Sequence, residues 1–185
     1  AMSVTQDVHA GKTAHLLTVG ANKYWVRQQV DIEDPHTGMT VCRPDFMIEP
    51  GFSGSPMKPI AVFVDGWRYH KDIMAEDARK RSFLMMGDKH HVWTVTNEDI
   101  DSALQSNIGS DLSPPVRTFQ NMGMMQMMQG KNASRFPEAV DEFLDLNAVA
   151  LLANLLGSGD VKTSDPLARL ESTGHHLAVQ SCLVP

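Results

Sequence analysis

Along the chain, the spacing of apolar and polar residues changes period several times. The first twenty residues are weakly patterned, with small and polar residues around a short apolar stretch at Leu16-Leu17, and they predict no definite element. From Tyr24 to Ile32 β-branched and aromatic residues concentrate (YWVRQQVDI), and Asp34-Pro35-His36-Thr37-Gly38 then supplies turn chemistry. This predicts strand, turn, strand. The second strand is expected from Thr40 to Ile48, ending at Pro50-Gly51, and a Gly/Ser/Pro-rich stretch to Pro59 separates it from the run IAVFVDG. That third run is nearly all apolar, as a strand covered on both faces would be.

At residues 72–86 the period becomes helical. Ile73, Met74, Ala78, Leu84 and Met85 fall on one side of a helix at about 100° per residue, with Asp72 as its N-cap and Gly87 as its stop. The run HVWTVT at 91–96 predicts a short strand, and Asn97-Glu98-Asp99 opens a further helix with acids in its first turn. From Asn107 to Arg135 the pattern fails: Pro114-Pro115, glycines and the cluster MGMMQMMQ predict a long loop or an arm over the core. Pro137 sits where a first-turn proline belongs, ahead of a helix expected to stop at Gly157. The expected organisation is a weakly patterned segment at 1–20, a core at 21–106, a Met-rich arm at 107–135 and a helical extension at 136–185. The opening Ala1-Met2 looks like a tag remnant, and the chain reads as one domain of a longer protein.

Composition narrows the class. With 185 residues, 42% apolar and 21% charged, the chain can form a core without staples, burying roughly 70% of its extended surface. Sixteen basic against 22 acidic residues give a net charge of −6, which argues against a generic nucleic-acid coat. Cys42 and Cys182, far apart and in no CxxC pattern, offer neither a disulfide scaffold nor a zinc ribbon, so a reducing cytoplasm is the expected home. No apolar run of about 18 residues exists to span a membrane, and no basic-then-apolar signal opens the chain.

The candidate chemistry lies between Arg43 and His70. If the second and third strands pair about a loop centred near Gly54, Asp45 lies opposite Phe63, and period-two alternation puts Asp45, Phe63 and Asp65 on one face. Asp45 and Asp65 are then diagonal neighbours, about 7–8 Å apart at Cα. Two carboxylates at that distance can converge on Mg²⁺ or Mn²⁺, with the Val64 carbonyl as a third ligand and His70 passing protons at neutral pH. Equally, VDG is ordinary turn chemistry and His70 can be a packed residue at a strand end. Asp77 and Arg81, four apart inside the apolar stripe, form either a partly buried ion pair or a prop for the metal site. Trp67, Arg68 and Tyr69, with Lys71 beyond them, are candidates for contact with DNA by stacking, or they pack on the following helix. The methionine cluster is better suited to an adaptable apolar surface than to a soft metal.

The order PDF, loop, apolar strand ending in VDG, aromatic residues and His, a helix containing DARKRSFL and a Trp-bearing strand resembles the restriction-endonuclease-like (PD-(D/E)XK) superfamily. Within it the chain is most similar to the Vsr-like, very-short-patch-repair endonucleases and to nuclease-like domains appended to large bacterial DEAD/DEAH-box helicases, some of them in phage defence. The resemblance covers about Trp25 to Asp101. It implies an α/β fold, a mixed β-sheet core flanked by helices with an irregular and helical C-terminal extension. It also implies Mg²⁺-dependent cleavage of DNA, with Asp45 as the metal-binding aspartate of the PD motif, Val64 giving a backbone carbonyl, and His70 as the catalytic histidine. DNA and a helicase are the implied partners. The alternative is a catalytically inactive nuclease-fold module for DNA docking or interdomain contact. Phe63 stands where the motif usually carries an acid, and Asp65 where it carries lysine or its substitute. No N-terminal helix supplies the further glutamate some members carry, and Glu49 is the available replacement.

Overall fold

The computed structural model describes residues 2–65, 74–104 and 148–158, with Lys162, Asp165 and Leu167. The chain divides into two compact units, Ala1–Thr94 with Asn154–Pro185, and Val95–Ala153.

The first unit is built on a six-stranded sheet. Its strands are β1 (Met2–His9), β2 (Lys12–Val19), β3 (Asn22–Gln28), β6 (Phe46–Pro50), β7 (Ile60–Asp65) and β8 (His91–Thr96), in the order β1-β2-β3-β6-β7-β8. The intervening β4 (Ile32–Glu33) and β5 (Thr40–Cys42) pair separately as a small antiparallel ribbon. All ladders from β1 to β7 are antiparallel. By contrast β8 starts beside the start of β7, where the His91 N–H donates to the Pro59 carbonyl at 2.9 Å, so these two run the same way. The sheet is therefore mixed, and helix α1 (Met74–Met86) lies in the crossover between β7 and β8. The chain has an α/β fold.

Two expectations about the strands are corrected. Residues 1–20, read as weakly patterned, contain a complete β-hairpin. Its two-residue turn, Ala10-Gly11, has φ of 51° and 73°, and an alanine in that left-handed place carries no turn signal in sequence. The strand expected over Thr40 to Ile48 is two strands, β5 and β6, in different sheets. Pro44, fully buried between them, has no N–H for a continuous ladder.

Both faces of the sheet are covered at its centre. On one face Met47 and Ala61 join Ile32, Cys42 and Leu84 of α1 in a buried cluster, with Val30, Phe63 and Val92 at its margin. On the other, the C-terminal end of α3 (Ala148–Ser158) packs on β2 and β3. The Asn22 amide and the Tyr24 hydroxyl both donate to the Leu156 carbonyl, at 3.0 and 2.6 Å. Gly157, expected just past the helix, lies inside it. A Cβ there would sit 3.2 Å from Val19 Cγ1, so close approach to β2 explains the glycine. Burial pushes the Tyr24 hydroxyl up to about 12, although the Asn22 hydrogen bond opposes the shift.

In the second unit, α2 (Asn97–Leu104) begins with a reciprocal cap. The Asp99 N–H donates to Thr96 Oγ1, and the Asp99 carboxylate accepts from the Thr96 N–H and hydroxyl. No described helix is long and apolar enough to cross a membrane.

Candidate functional site

The β6-β7 register, Phe46↔Val62, Met47↔Ala61 and Ile48↔Ile60, is the one expected from a turn centred at Gly54. Continued by one pair it sets Asp45 opposite Phe63, and alternation places Asp45, Phe63 and Asp65 on the α1 face. There they line a cleft of about 170 Å³, closed on its other side by Asp77, Lys80 and Arg81 of α1.

Each carboxylate already has donors. Asp45 Oδ2 accepts the Val64 N–H at 2.8 Å, so the side chain continues a ladder that the backbone leaves after Phe46. Its Oδ1 accepts from the Gln29 amide at 3.3 Å, while the Gln29 N–H donates to the Asp45 carbonyl at 3.1 Å. Gln29 holds φ at 50°, a left-handed conformation that costs a non-glycine residue roughly 1 kcal/mol. Those two contacts with Asp45 help to hold it there.

Asp65 is engaged by Arg81. The guanidinium donates through Nη1 and Nη2 to the two carboxylate oxygens at 2.7 and 2.5 Å, in the bidentate geometry that suits an arginine fork. The Arg81 carbon Cζ lies 4.9 Å from the centre of the Phe63 ring, so the cation rests on the aromatic face as well. The Asp65 side chain is 28% exposed and that of Arg81 19%. Arg81 Nε is buried and unpartnered among the described residues.

This arrangement bears on the implied metal. Among the described residues no three His, Cys, Asp or Glu side chains gather around one point. Both oxygens of Asp65 face a guanidinium, and both of Asp45 accept hydrogen bonds. As the described side chains stand, these two carboxylates are turned to hydrogen-bond donors and do not present a ready divalent-cation site. Val64 reaches this pair through its N–H, which donates to Asp45 Oδ2. Glu49, the replacement glutamate, also accepts a fork, from Arg27 at 2.6 and 2.7 Å.

Of the other candidates, Asp77 and Arg81 do line the cleft, but the partner that Arg81 grips is Asp65 on the sheet. His70, Trp67, Arg68, Tyr69, Lys71 and the Asp72 cap lie outside the described residues, as do the methionine cluster and Pro137. Glu76 and Lys80 pair along the helix at 2.7 Å. Cys42 borders the cleft, and burial pushes its thiol up, which makes it a poor nucleophile.

Two features went unread in the sequence. One is Gln29, which no motif marks. The other is a buried pair at the start of β8, His91 Nε2 with Asp165 Oδ2 at 2.8 Å, whose side chains are 2% and 8% exposed. Asp165 also accepts the Lys58 N–H at 3.1 Å, tying the C-terminal segment to the sheet. In sequence His91 is only the second of two adjacent histidines, and no motif marks Asp165.

Comparison with known proteins finds no matching family model, no matching curated protein and no matching solved structure.

Proposed function

We propose that the chain is a nuclease-like module of the restriction-endonuclease-like superfamily whose cation place is filled by its own Arg81, and that it docks within a larger helicase-linked assembly without cleaving DNA. The observation that carries this reading is the fork of Arg81 on Asp65 with Phe63 beneath it. An acid at position 63 would have added a ligand to the site; the phenyl ring instead supports the guanidinium. The order of elements supports the fold half of the reading: a hairpin bearing Asp45 and Asp65, then the helix with DARKRSFL, then a Trp93-bearing strand alongside β7.

Among the described residues, the charge around the cleft favours docking on another domain or protein over direct docking on DNA. Arg43 is paired with Asp31 and Lys80 with Glu76, so two of the bases nearest the cleft are already neutralised. A phosphate backbone is bound chiefly through free cations.

The test is nicking of supercoiled plasmid, with mismatched and single-stranded DNA in parallel, in Mg²⁺ and Mn²⁺. The expected result is no cleavage, and no calorimetric Mn²⁺ binding that Asp45→Ala removes. Cleavage by the wild type that Asp45→Ala abolishes would replace this reading with the metal-dependent endonuclease.

A further inference from the structure

We infer that Asp65 is a backbone-modification site held shut by Arg81: the fork on its carboxylate keeps the Asp65-Gly66 linkage from isomerising to the isoaspartyl form. The inference uses the fork but not the function proposed for the cleft.

The chain holds one Asp-Gly pair, Asp65-Gly66, and no Asn-Gly pair. Asp before Gly is the pairing most open to this reaction, because glycine sets no side chain beside its own amide nitrogen. That nitrogen attacks the aspartate Cγ. A new N–Cγ bond forms, the amide proton and the carboxyl hydroxyl leave as water, and a five-membered succinimide closes. Water then opens the ring at either carbonyl, which restores aspartate or leaves the chain linked through Cγ. One water leaves and one enters, so the product is an isomer and no other reagent is consumed. Burial does not prevent this at Asp65, whose side chain is 28% exposed.

The fork opposes each half of ring closure. For the hydroxyl to leave, a carboxyl oxygen must carry a proton. Both oxygens instead accept from Arg81 Nη1 and Nη2, at 2.7 and 2.5 Å, and a guanidinium keeps its protons throughout the ordinary pH range. Attack also needs Cγ brought in line with the next amide nitrogen, and a carboxylate drawn toward α1 at both oxygens is not free to turn there. The guanidinium is itself fixed. Its Cζ lies 4.9 Å from the centre of the Phe63 ring, and Nη1 also donates to Thr94 Oγ1 of β8 at 3.3 Å. Three elements thus hold one side chain still. Isomerisation would lengthen the backbone by one carbon at the end of β7 and carry the carboxylate away from Arg81, so the fork could not re-form.

The test is storage of the full chain at neutral pH in heavy-oxygen water. Ring opening there labels residue 65 whichever product results, and fragmentation mass spectrometry separates aspartyl from isoaspartyl chains. Arg81→Leu should label about tenfold faster than the wild type or more, approaching the chain unfolded in urea. Arg81→Lys, one point charge facing two oxygens, should fall between them. Gly51→Ala, at the junction of β3 and β6, should label at the wild-type rate although it loses comparable stability, which separates loss of the fork from loosened folding. If Arg81→Leu does not fold by circular dichroism, Arg81→Lys decides, and no rise over the wild type would count against the inference. A wild type that labels as fast as the unfolded chain, or a Gly51→Ala rate equal to that of Arg81→Leu, would overturn it.

Discussion

β7 and β1 belong to one sheet and are both rich in residues that favour strands, yet they end in opposite environments. Ile60, Ala61 and Val62 of β7 are at most 5% exposed, whereas Met2, Val4 and Val8 of β1 are 58–66% exposed. The difference is coverage. β7 carries apolar residues on both faces, and it sits between strands with α1 above. β1 alternates, has one neighbour in the sheet and is exposed from Met2 to Val8. Charge is admitted where coverage ends: Asp65 closes β7 at a half-buried position, and a guanidinium must then accompany it. The cleft is thus a boundary feature of the covered part of the sheet.

This contrast can be tested by substitution, and the largest effect is expected in β7. Ile60→Ala should cost about 2–5 kcal/mol in urea unfolding, since the side chain is fully buried, while Val4→Ala should stay within about 0.5 kcal/mol. Equal costs would mean that β1 is covered as well as β7. Next comes Arg81→Leu, which strands the Asp65 carboxylate half-buried. A loss of about 1–3 kcal/mol is expected, most of it recovered when Asp65→Asn is added; a neutral single variant would reduce the fork to a surface pair. Gly51→Ala should cost a comparable amount, because its Cβ would lie 2.7 Å from the Lys23 carbonyl oxygen, where β3 and β6 meet.

Tyr24→Phe is expected to be milder, about 1 kcal/mol, because Asn22 still donates to the Leu156 carbonyl. Its pH signature is more telling. A hydroxyl raised from 10.0 to about 12 favours the neutral folded form, so its contribution is full below pH 10 and is lost as pH rises through 12. The phenylalanine variant should lack that part of the alkaline loss when unfolding is followed between those values. Smallest of all, Arg43→Ala at the exposed Asp31 pair should leave the thermal midpoint unchanged.

How much was legible depended on how local the signal was. The strand at 60–65, the helix ending at 86, the strand at 91–96 and the β6-β7 register followed from runs, periods and a loop centre. The β1-β2 hairpin did not, because its turn is made by an alanine in a glycine-like conformation. The split of β5 from β6 needed a fact the run of apolar residues did not state, that a buried Pro44 stands where the chain changes sheets. At the cleft, alternation placed Asp45, Phe63 and Asp65 on one face, and the helical stripe brought Asp77 and Arg81 toward it. Gln29 and the His91–Asp165 pair had no comparable marker.

The sequence by itself determined which residues could share a face, since the two-residue period of a strand and the 3.6-residue period of a helix are set by the backbone. Only the tertiary structure decided that Arg81 reaches Asp65, 16 residues away, and lies over Phe63. That contact depends on the rotation and height of α1 above the sheet, which are set by the packing of Leu84 against Met47 and Ala61, and no local pattern encodes them.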